Sequence, residues 1–178
     1  MSFKKWVMAS LLSSASIFSA VSAEKTVSPA PFADGERVLF LGDSITRGGW
    51  YSTVGLFYET HFPEKRITWL NAGISGDTAA GALRRLQWDV LDRKPSTVVI
   101  MFGMNECGRG DLPGNIGSDE RVKLYRDSMT ELLGKLKKAD VKVVLCTPSP
   151  SDATAKLPSE AKPEINAALI LCAQVARE

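Results

Sequence analysis

Ser44 is the residue whose type and setting most directly suggest chemistry. It lies in the stretch VLFLGDSITRGG, residues 38–49, where an apolar run stops at Gly-Asp-Ser and continues into a Gly-Gly pair. The apolar run predicts a strand buried on both faces, and the turn after such a strand is where open α/β sheets bind their ligands. Because this turn would expose the Ser44 hydroxyl, the pattern predicts a nucleophile. The alternative is that Gly-Asp-Ser is an ordinary turn.

A serine nucleophile also needs a base, and hydrogen-bond donors for the oxyanion that forms when it attacks a carbonyl. Asn105 follows a later apolar run and supplies a side-chain N–H. Glycine backbone near Gly73 or Gly76 can approach a substrate closely because it has no Cβ. Ser44, Asn105 and a nearby glycine together predict half of an acyl-transfer site, although Asn105 alone is more often a turn or cap residue.

Other chemistries find no support in the sequence. The motifs G-x-G-x-x-G, G-x-x-x-x-G-K-[ST] and G-x-S-x-G are absent, which argues against the common nucleotide-binding loops and the α/β-hydrolase nucleophile elbow. The spacing of the three cysteines (Cys107, Cys146 and Cys172) matches no zinc pattern, and His61 is the single histidine, so we expect no metal and no cofactor. The cysteines form either one bridge with one free thiol or three thiols. We interpret Cys107 as an unreactive thiol.

Strands and helices are predicted to alternate along the chain. Four apolar runs predict strands, and four segments with apolar residues at helical spacing predict helices. In chain order the elements are a strand at 37–42, a helix at 50–61, a strand at 66–73, a helix at 77–94, a strand at 96–103, a helix at 118–139, a strand at 141–150 and a helix at 164–178. Asp77 or Thr78 could cap the second helix. The alternation predicts an α/β fold with a doubly wound parallel sheet and polar residues gathered at its carboxyl edge.

The amino-terminal residues predict export. Residues 1–23 have a basic start, an apolar run interrupted by serines, and the small residues of a cleavage site at Ala23. This layout is typical of a secretory signal peptide, and the run is too short for a confident membrane span. Residues 24–36 then form a linker before a domain at 37–178. Without Lys4 and Lys5 of the leader, the chain has 20 basic and 20 acidic residues, so no nucleic-acid partner is expected.

Three sequence blocks resemble, in their order and separation, the SGNH or GDSL family of serine esterases and lipases: FLGDSIT, NAGISGDT and FGMNE. The resemblance covers most of residues 37–178 and implies a flavodoxin-like, three-layer sheet whose first and third strands are neighbours. It implies that Ser44 is the nucleophile, and that the Ser44 backbone N–H, Gly76 and the Asn105 side chain form the oxyanion hole. The implied reaction is hydrolysis of a carboxylic ester through an acyl-Ser44 intermediate; an acetylated carbohydrate, a lysophospholipid and a short-chain ester all fit as substrate.

Two departures from the family pattern affect this interpretation. Glu106 stands where the third block usually has an aspartate, and the final Asp-x-x-His block, which supplies the acid and the base, is missing together with the fold's last strand and helix. His61 is predicted at the opposite edge of the sheet, roughly 17–20 Å from Ser44, too far to act as a general base. We therefore expect the chain to belong to a longer reading frame and to be a poor enzyme alone. The alternative is a non-catalytic protein that binds a carbohydrate or small ester.

Overall fold

Parallel strands form a four-stranded sheet in the computed structural model, which describes residues 31–108, 118–150 and 163–178. The strands are β1 (Arg37–Gly42), β2 (Thr68–Gly73), β3 (Thr97–Met101) and β4 (Lys142–Leu145), and their spatial order is β2-β1-β3-β4. Gly42 pairs with Gly73 on one side and with Met101 on the other, so the carboxyl ends of β1, β2 and β3 are level. This order confirms the flavodoxin-like sheet, with β1 and β3 as neighbours.

Helices cover both faces of the sheet in the described residues, as right-handed crossovers between parallel strands require. They are α1 (Ser44–Arg47), α2 (Trp50–His61), α3 (Ala79–Arg85), α4 (Met104–Gly108), α5 (Asp119–Lys138) and α6 (Pro163–Val175). Side chains of α3, α5 and α6 pack with Leu39, Leu41 and Ile100 in one core cluster. Successive strand residues point to opposite faces of the sheet, so Phe40 packs on the face opposite to Leu39 and Leu41.

Aromatic rings fill the layer between the sheet and α2. The ring of Phe40 meets Trp50 edge to face with the centroids 4.8 Å apart, and Trp69 of β2 meets Tyr58 at 5.3 Å. Gly55 lies where α2 crosses Trp69, and a Cβ there would stand 3.2 Å from the indole. This tight packing fixes α2, and with it the turn that precedes the helix.

The structure differs from the sequence expectations mainly in short elements. The sequence does not predict the four-residue α1 and the five-residue α4, because the residues after β1 and β3 have the composition of turns. The predicted helix at 77–94 is α3 alone, followed by a π-helical turn at Leu86–Val90 and a 3-10 turn at Leu91–Arg93. The strand predicted at 141–150 ends at Leu145, just before a segment that holds two prolines, residues that cannot donate to a sheet ladder.

Some expectations concern residues that the structure does not describe. The predicted signal peptide at 1–23 and residues 24–30 of the predicted linker lie outside the described residues, as does the polar segment 109–117. In the part of the chain that is described, no helix is both long enough and apolar enough to cross a membrane.

Candidate active site

Ser44 is exposed at the start of α1, directly after the central strand β1. The preceding residue, Asp43, is almost completely buried and caps the helix: its Oδ1 accepts a hydrogen bond of 2.9 Å from the Ile45 N–H. A side-chain cap of this kind satisfies a helix N–H that would otherwise lack a partner. The Gly-Asp-Ser sequence therefore holds the serine outside while the aspartate points in.

Glycines let the α1 turn lie directly on the ends of two strands. A Cβ on Gly42 would overlap the side chain of Thr46, and a Cβ on Gly73 would overlap the backbone of Arg47. Thr46 is fully buried in this contact. The turn that carries Ser44 is thus held by packing against the carboxyl edge of the sheet.

Asn105 lies in the first turn of α4, after β3, and its side chain joins two neighbouring loops. Its Nδ2 donates to the backbone carbonyl of Asp77 at 2.8 Å and to Asp43 Oδ2 at 3.4 Å. The loops after β1, β2 and β3 are therefore connected through one amide group. As the sequence predicts, Ser44 and Asn105 lie at the same carboxyl edge of the sheet. They are connected through Asp43, which precedes Ser44 and accepts the hydrogen bond from Asn105.

Gly76 is placed in the loop between β2 and α3. Its φ is 74°, in the left-handed region that favours glycine, and the Asp77 N–H donates to the Ile74 carbonyl at 3.1 Å to close the turn. Since Asp77 also accepts from Asn105, Gly76 is adjacent to the contact that links the second and third sequence blocks.

A buried ion-pair network supports this loop, and the sequence expectations missed it. Arg85 is only 5% exposed; its guanidinium reaches Asp77 Oδ2 at 2.7 Å, pairs with Asp89, and donates to the Ala72 carbonyl at 2.9 Å. Buried charges need such partners. Of the two predicted caps, Asp77 and Thr78, it is Thr78 that caps α3, accepting from the Gly81 N–H at 3.1 Å. A buried arginine inside a helix pattern has no signal in a single sequence.

The Glu106 side chain links α4 to α3 through hydrogen bonds. Its Oε1 accepts from the Ala79 N–H at 2.7 Å and its Oε2 from the Gly103 N–H at 3.0 Å. The carboxyl is 2% exposed, and this burial raises the pKa of Glu106 to about 6; the backbone hydrogen bonds oppose the rise and the nearby Asp43 carboxylate adds to it. Its two acceptor atoms span the gap between the two helices and so hold the turn that carries Asn105.

One acidic side chain, Asp43, and one basic side chain, Arg47, complete the description of the carboxyl edge of the sheet. Burial raises the pKa of Asp43, and the Asp77 carboxylate contributes in the same direction, while the hydrogen bonds from the backbone N–H groups of Ile45 and Asp43 oppose it. Arg47 is exposed, and its Nη1 donates to Ser75 Oγ at 3.1 Å, which joins α1 to the loop after β2. A cationic side chain therefore stands at the rim, beside the turn of Ser44.

His61 does not belong to this site. It is the last residue of α2, an exposed side chain whose ring stacks on Phe57 with the centroids 4.2 Å apart and whose Nδ1 lies 2.9 Å from the Phe57 carbonyl oxygen. The helix has 12 residues and is therefore about 18 Å long, and its first residue, Trp50, is the end nearer to α1. Within the described residues, no group of three or more His, Cys, Asp or Glu side chains could hold a metal ion.

The chain is similar in sequence and in structure to known esterases. The crystal structure of an acetylxylan esterase from Geobacillus stearothermophilus matches with a TM-score of 0.64 and 27% identity, over 82% of this chain and 73% of that one. In sequence, an acetylxylan esterase from the same organism is 31% identical over 131 residues, which are 64% of this chain and 60% of that protein. An arylesterase from Vibrio mimicus is 31% identical over 101 residues, 52% of this chain and 50% of that protein.

The fold is that of the SGNH hydrolases, a parallel α/β sheet that matches the acetylxylan esterase structures. Residues 40–178 match the GDSL-like lipase/acylhydrolase family, and the chain belongs to that family. The predicted resemblance is therefore confirmed. The chain spans 44% to 60% of the lengths of the curated esterases that it matches.

Proposed function

We propose that this protein is a serine ester hydrolase in which Ser44 attacks the carbonyl carbon of a carboxylic ester. The single observation that carries the proposal is the exposed Ser44 at the start of α1, one residue from Asp43, to which Asn105 is hydrogen-bonded. An exposed nucleophile beside a fixed side-chain N–H is what acyl transfer requires.

The oxyanion would be stabilised by three donors: the Ser44 backbone N–H, the Gly76 backbone N–H and Asn105 Nδ2. The Asn105 contact with Asp43 is long, 3.4 Å, so an oxyanion can replace it, while the 2.8 Å bond to the Asp77 carbonyl keeps the amide oriented. Collapse of the tetrahedral species expels the alcohol and leaves the acyl group on Ser44. Attack by water then releases the acid and regenerates the hydroxyl.

A proton acceptor for the Ser44 hydroxyl is the remaining requirement. His61, the single histidine of the sequence, stands at the far end of α2, and a general base must lie within about 3 Å of the proton or one water away. The family resemblance implies an Asp-x-x-His block for this role, and residues 37–178 contain none. Fast turnover by this mechanism therefore needs a base other than His61.

We propose a short acyl ester, with an acetylated carbohydrate as the first candidate, as the substrate. Support comes from the acetylxylan esterase and the arylesterase among the similar proteins. The exposed Arg47 at the rim, beside Ser44, provides hydrogen-bond donors suited to the hydroxyl groups of a sugar.

The test is hydrolysis of p-nitrophenyl acetate and of acetylated xylose by the full-length protein. We expect Ser44→Ala to abolish hydrolysis of both esters. Ser52→Ala, a change at an exposed serine of α2, is the matched control and should keep the wild-type rate. Binding of acetylated xylose without any hydrolysis by the wild type would instead support the non-catalytic alternative.

We also propose that the protein is exported, with cleavage after Ala23. The support is the composition of residues 1–23 and a similar protein, an uncharacterized lipoprotein of Bacillus subtilis that is 33% identical over 119 residues, 63% of this chain and 48% of that protein. Amino-terminal sequencing of the protein from the medium or periplasm should begin at Glu24. A product that begins at Met1 would contradict this proposal.

A further inference from the structure

Two of the three cysteines meet in the core behind the candidate active site. Cys107 in α4 and Cys172 in α6 are both almost completely buried, and their Sγ atoms lie 3.4 Å apart in a hydrogen-bonding contact, without a bond between them. They are separated by 65 positions in the sequence, so the contact is made by the fold. Cys146, which is partly exposed after β4, is the third.

We propose that Cys107 and Cys172 are the site of a disulfide bond that joins α6 to the helix carrying Asn105 and Glu106. A disulfide needs an Sγ–Sγ distance of about 2.05 Å, so the two sulfur atoms must approach by only about 1.4 Å. The pairing follows from the geometry and decides between the two cysteine arrangements that the sequence leaves open: one bridge, with Cys146 as the free thiol.

The disulfide bond would restrain the turn between β3 and α4, which positions Asn105 in the candidate active site. The Cys107 N–H donates to the Gly103 carbonyl at 3.0 Å, and a Cβ on Gly103 would stand 3.4 Å from Cys172 Cβ. Cys172 therefore packs on the backbone where β3 passes into α4. A covalent link at this point restrains the same turn that Glu106 holds through its two hydrogen bonds.

The surroundings of the pair favour a structural bond over a reactive thiol. The hydrogen bond with Cys107 raises the pKa of the Cys172 thiol above its ordinary value, and burial and the Glu106 carboxylate act in the same direction. Since the thiolate is the species that exchanges with disulfides, the Cys172 thiol reacts slowly in the folded protein, and the burial of both thiols restricts access of an oxidant, so the bond forms while the chain folds.

The reaction is a thiol–disulfide exchange with a small-molecule or protein disulfide as the oxidant. The Cys107 and Cys172 thiols together lose two protons and two electrons as the S–S bond forms, and the donor disulfide takes up both and is reduced to two thiols. Compartments outside the cytosol supply such donors, which agrees with the proposed export.

The test counts thiols after folding in a defined redox buffer. The full chain is denatured and reduced, refolded with reduced and oxidised glutathione, then denatured again and treated with N-ethylmaleimide, with or without prior reduction. We expect one adduct before reduction and three after it, and peptide mapping should give one cross-linked peptide joining Cys107 to Cys172. Three adducts before reduction, or a cross-link that contains Cys146, would overturn the proposal.

Two variants provide controls that do not depend on ester hydrolysis. Cys146→Ser should keep the cross-linked peptide, because Cys146 takes no part in the bond. Its oxidised form should also unfold at a higher urea concentration than its reduced form, since a cross-link restricts the unfolded chain. Equal urea midpoints for the two forms would contradict a bond that restrains α4 and α6. In Cys107→Ser the cross-link to Cys172 should be lost, and if that variant does not fold, the wild-type peptide map decides.

Discussion

Replacing Glu106 by glutamine should remove a defined part of the pH dependence of folding stability. The carboxyl is buried between α3 and α4, where it accepts hydrogen bonds from Ala79 and Gly103. Burial raises the pKa of Glu106 from its ordinary 4.5 to about 6. Glutamine has nearly the same shape and cannot ionise, so it isolates the contribution of the charge.

The sign and size of the effect follow from this pKa. Between about pH 4.5 and 6 the folded protein keeps the Glu106 proton while the unfolded chain loses it, so the free energy of unfolding falls as the pH rises. At about 1.4 kcal/mol per pKa unit, the wild type loses about 2 kcal/mol of stability over this range. The stability that the protonated Glu106 contributes is fully present below its ordinary pKa of 4.5 and is lost as the pH rises through its folded-state pKa of about 6.

The assay is urea unfolding, followed by tryptophan fluorescence, at about pH 4 and about pH 7.5. Glu106→Gln should reduce the stability difference between the two pH values by about 2 kcal/mol relative to wild type. Burial also raises the pKa of Asp43, which contributes with the same sign in both proteins. Glu59→Gln, at an exposed position of α2, is the matched control. An unchanged pH dependence in Glu106→Gln would refute the reasoning.

Three further changes test the site and its support. Asn105→Ala should lower kcat by about 10²–10³ with a smaller effect on KM, because it removes one oxyanion donor; steady-state kinetics on p-nitrophenyl acetate measures this. Arg85→Met should lower the free energy of unfolding by about 3 kcal/mol, since it leaves the part-buried Asp77 carboxylate without its cation, while Arg93 still pairs with Asp89. Gly42→Ala should cost about 1–3 kcal/mol, because a Cβ there overlaps a buried side chain; thermal unfolding measures both.

Neighbouring residues provide the controls for these changes. Arg84, next to Arg85 but exposed, should tolerate replacement by methionine within about 0.5 kcal/mol. Gly134 lies in α5 with open space around its Cα, so Gly134→Ala should stabilise the protein by up to about 1 kcal/mol. A loss of kcat below a few-fold in Asn105→Ala would contradict its role as a donor. Equal effects of changes at Arg84 and Arg85, or at Gly42 and Gly134, would contradict the packing described.

The parallel sheet could be predicted because buried parallel strands have a simple signature, whereas its strand order was an implication of the family resemblance. The runs around Phe40 and Val99 are apolar without interruption, and each is followed by glycine and polar residues. The same pattern places Ser44 and Asn105 at one edge. The sequence periodicity that predicts α2 and α5 spans three or more turns, which is why their limits agree with the structure to within a residue.

The support beneath the site could not be predicted, because it depends on contacts between distant residues. Helices as short as α1 and α4 contain no periodicity, so their residues look like turns. Arg85 and Glu106 are charged residues that usually face solvent, and only the assembled loops reveal that both are buried and paired. Asp77 and Thr78 are equally good caps in sequence, and the ion pair with Arg85 decides which of them caps α3.

The most direct test of the central claim is to locate the covalently trapped acyl or phosphonyl group. The full-length protein is treated with a fluorophosphonate, digested and analysed by mass spectrometry. We expect one labelled peptide, which contains Ser44. Labelling should be lost in Ser44→Ala and kept in Ser52→Ala. Labelling of a different residue, labelling that persists in Ser44→Ala, or a wild type that takes up no label would contradict the assignment of Ser44 as the nucleophile.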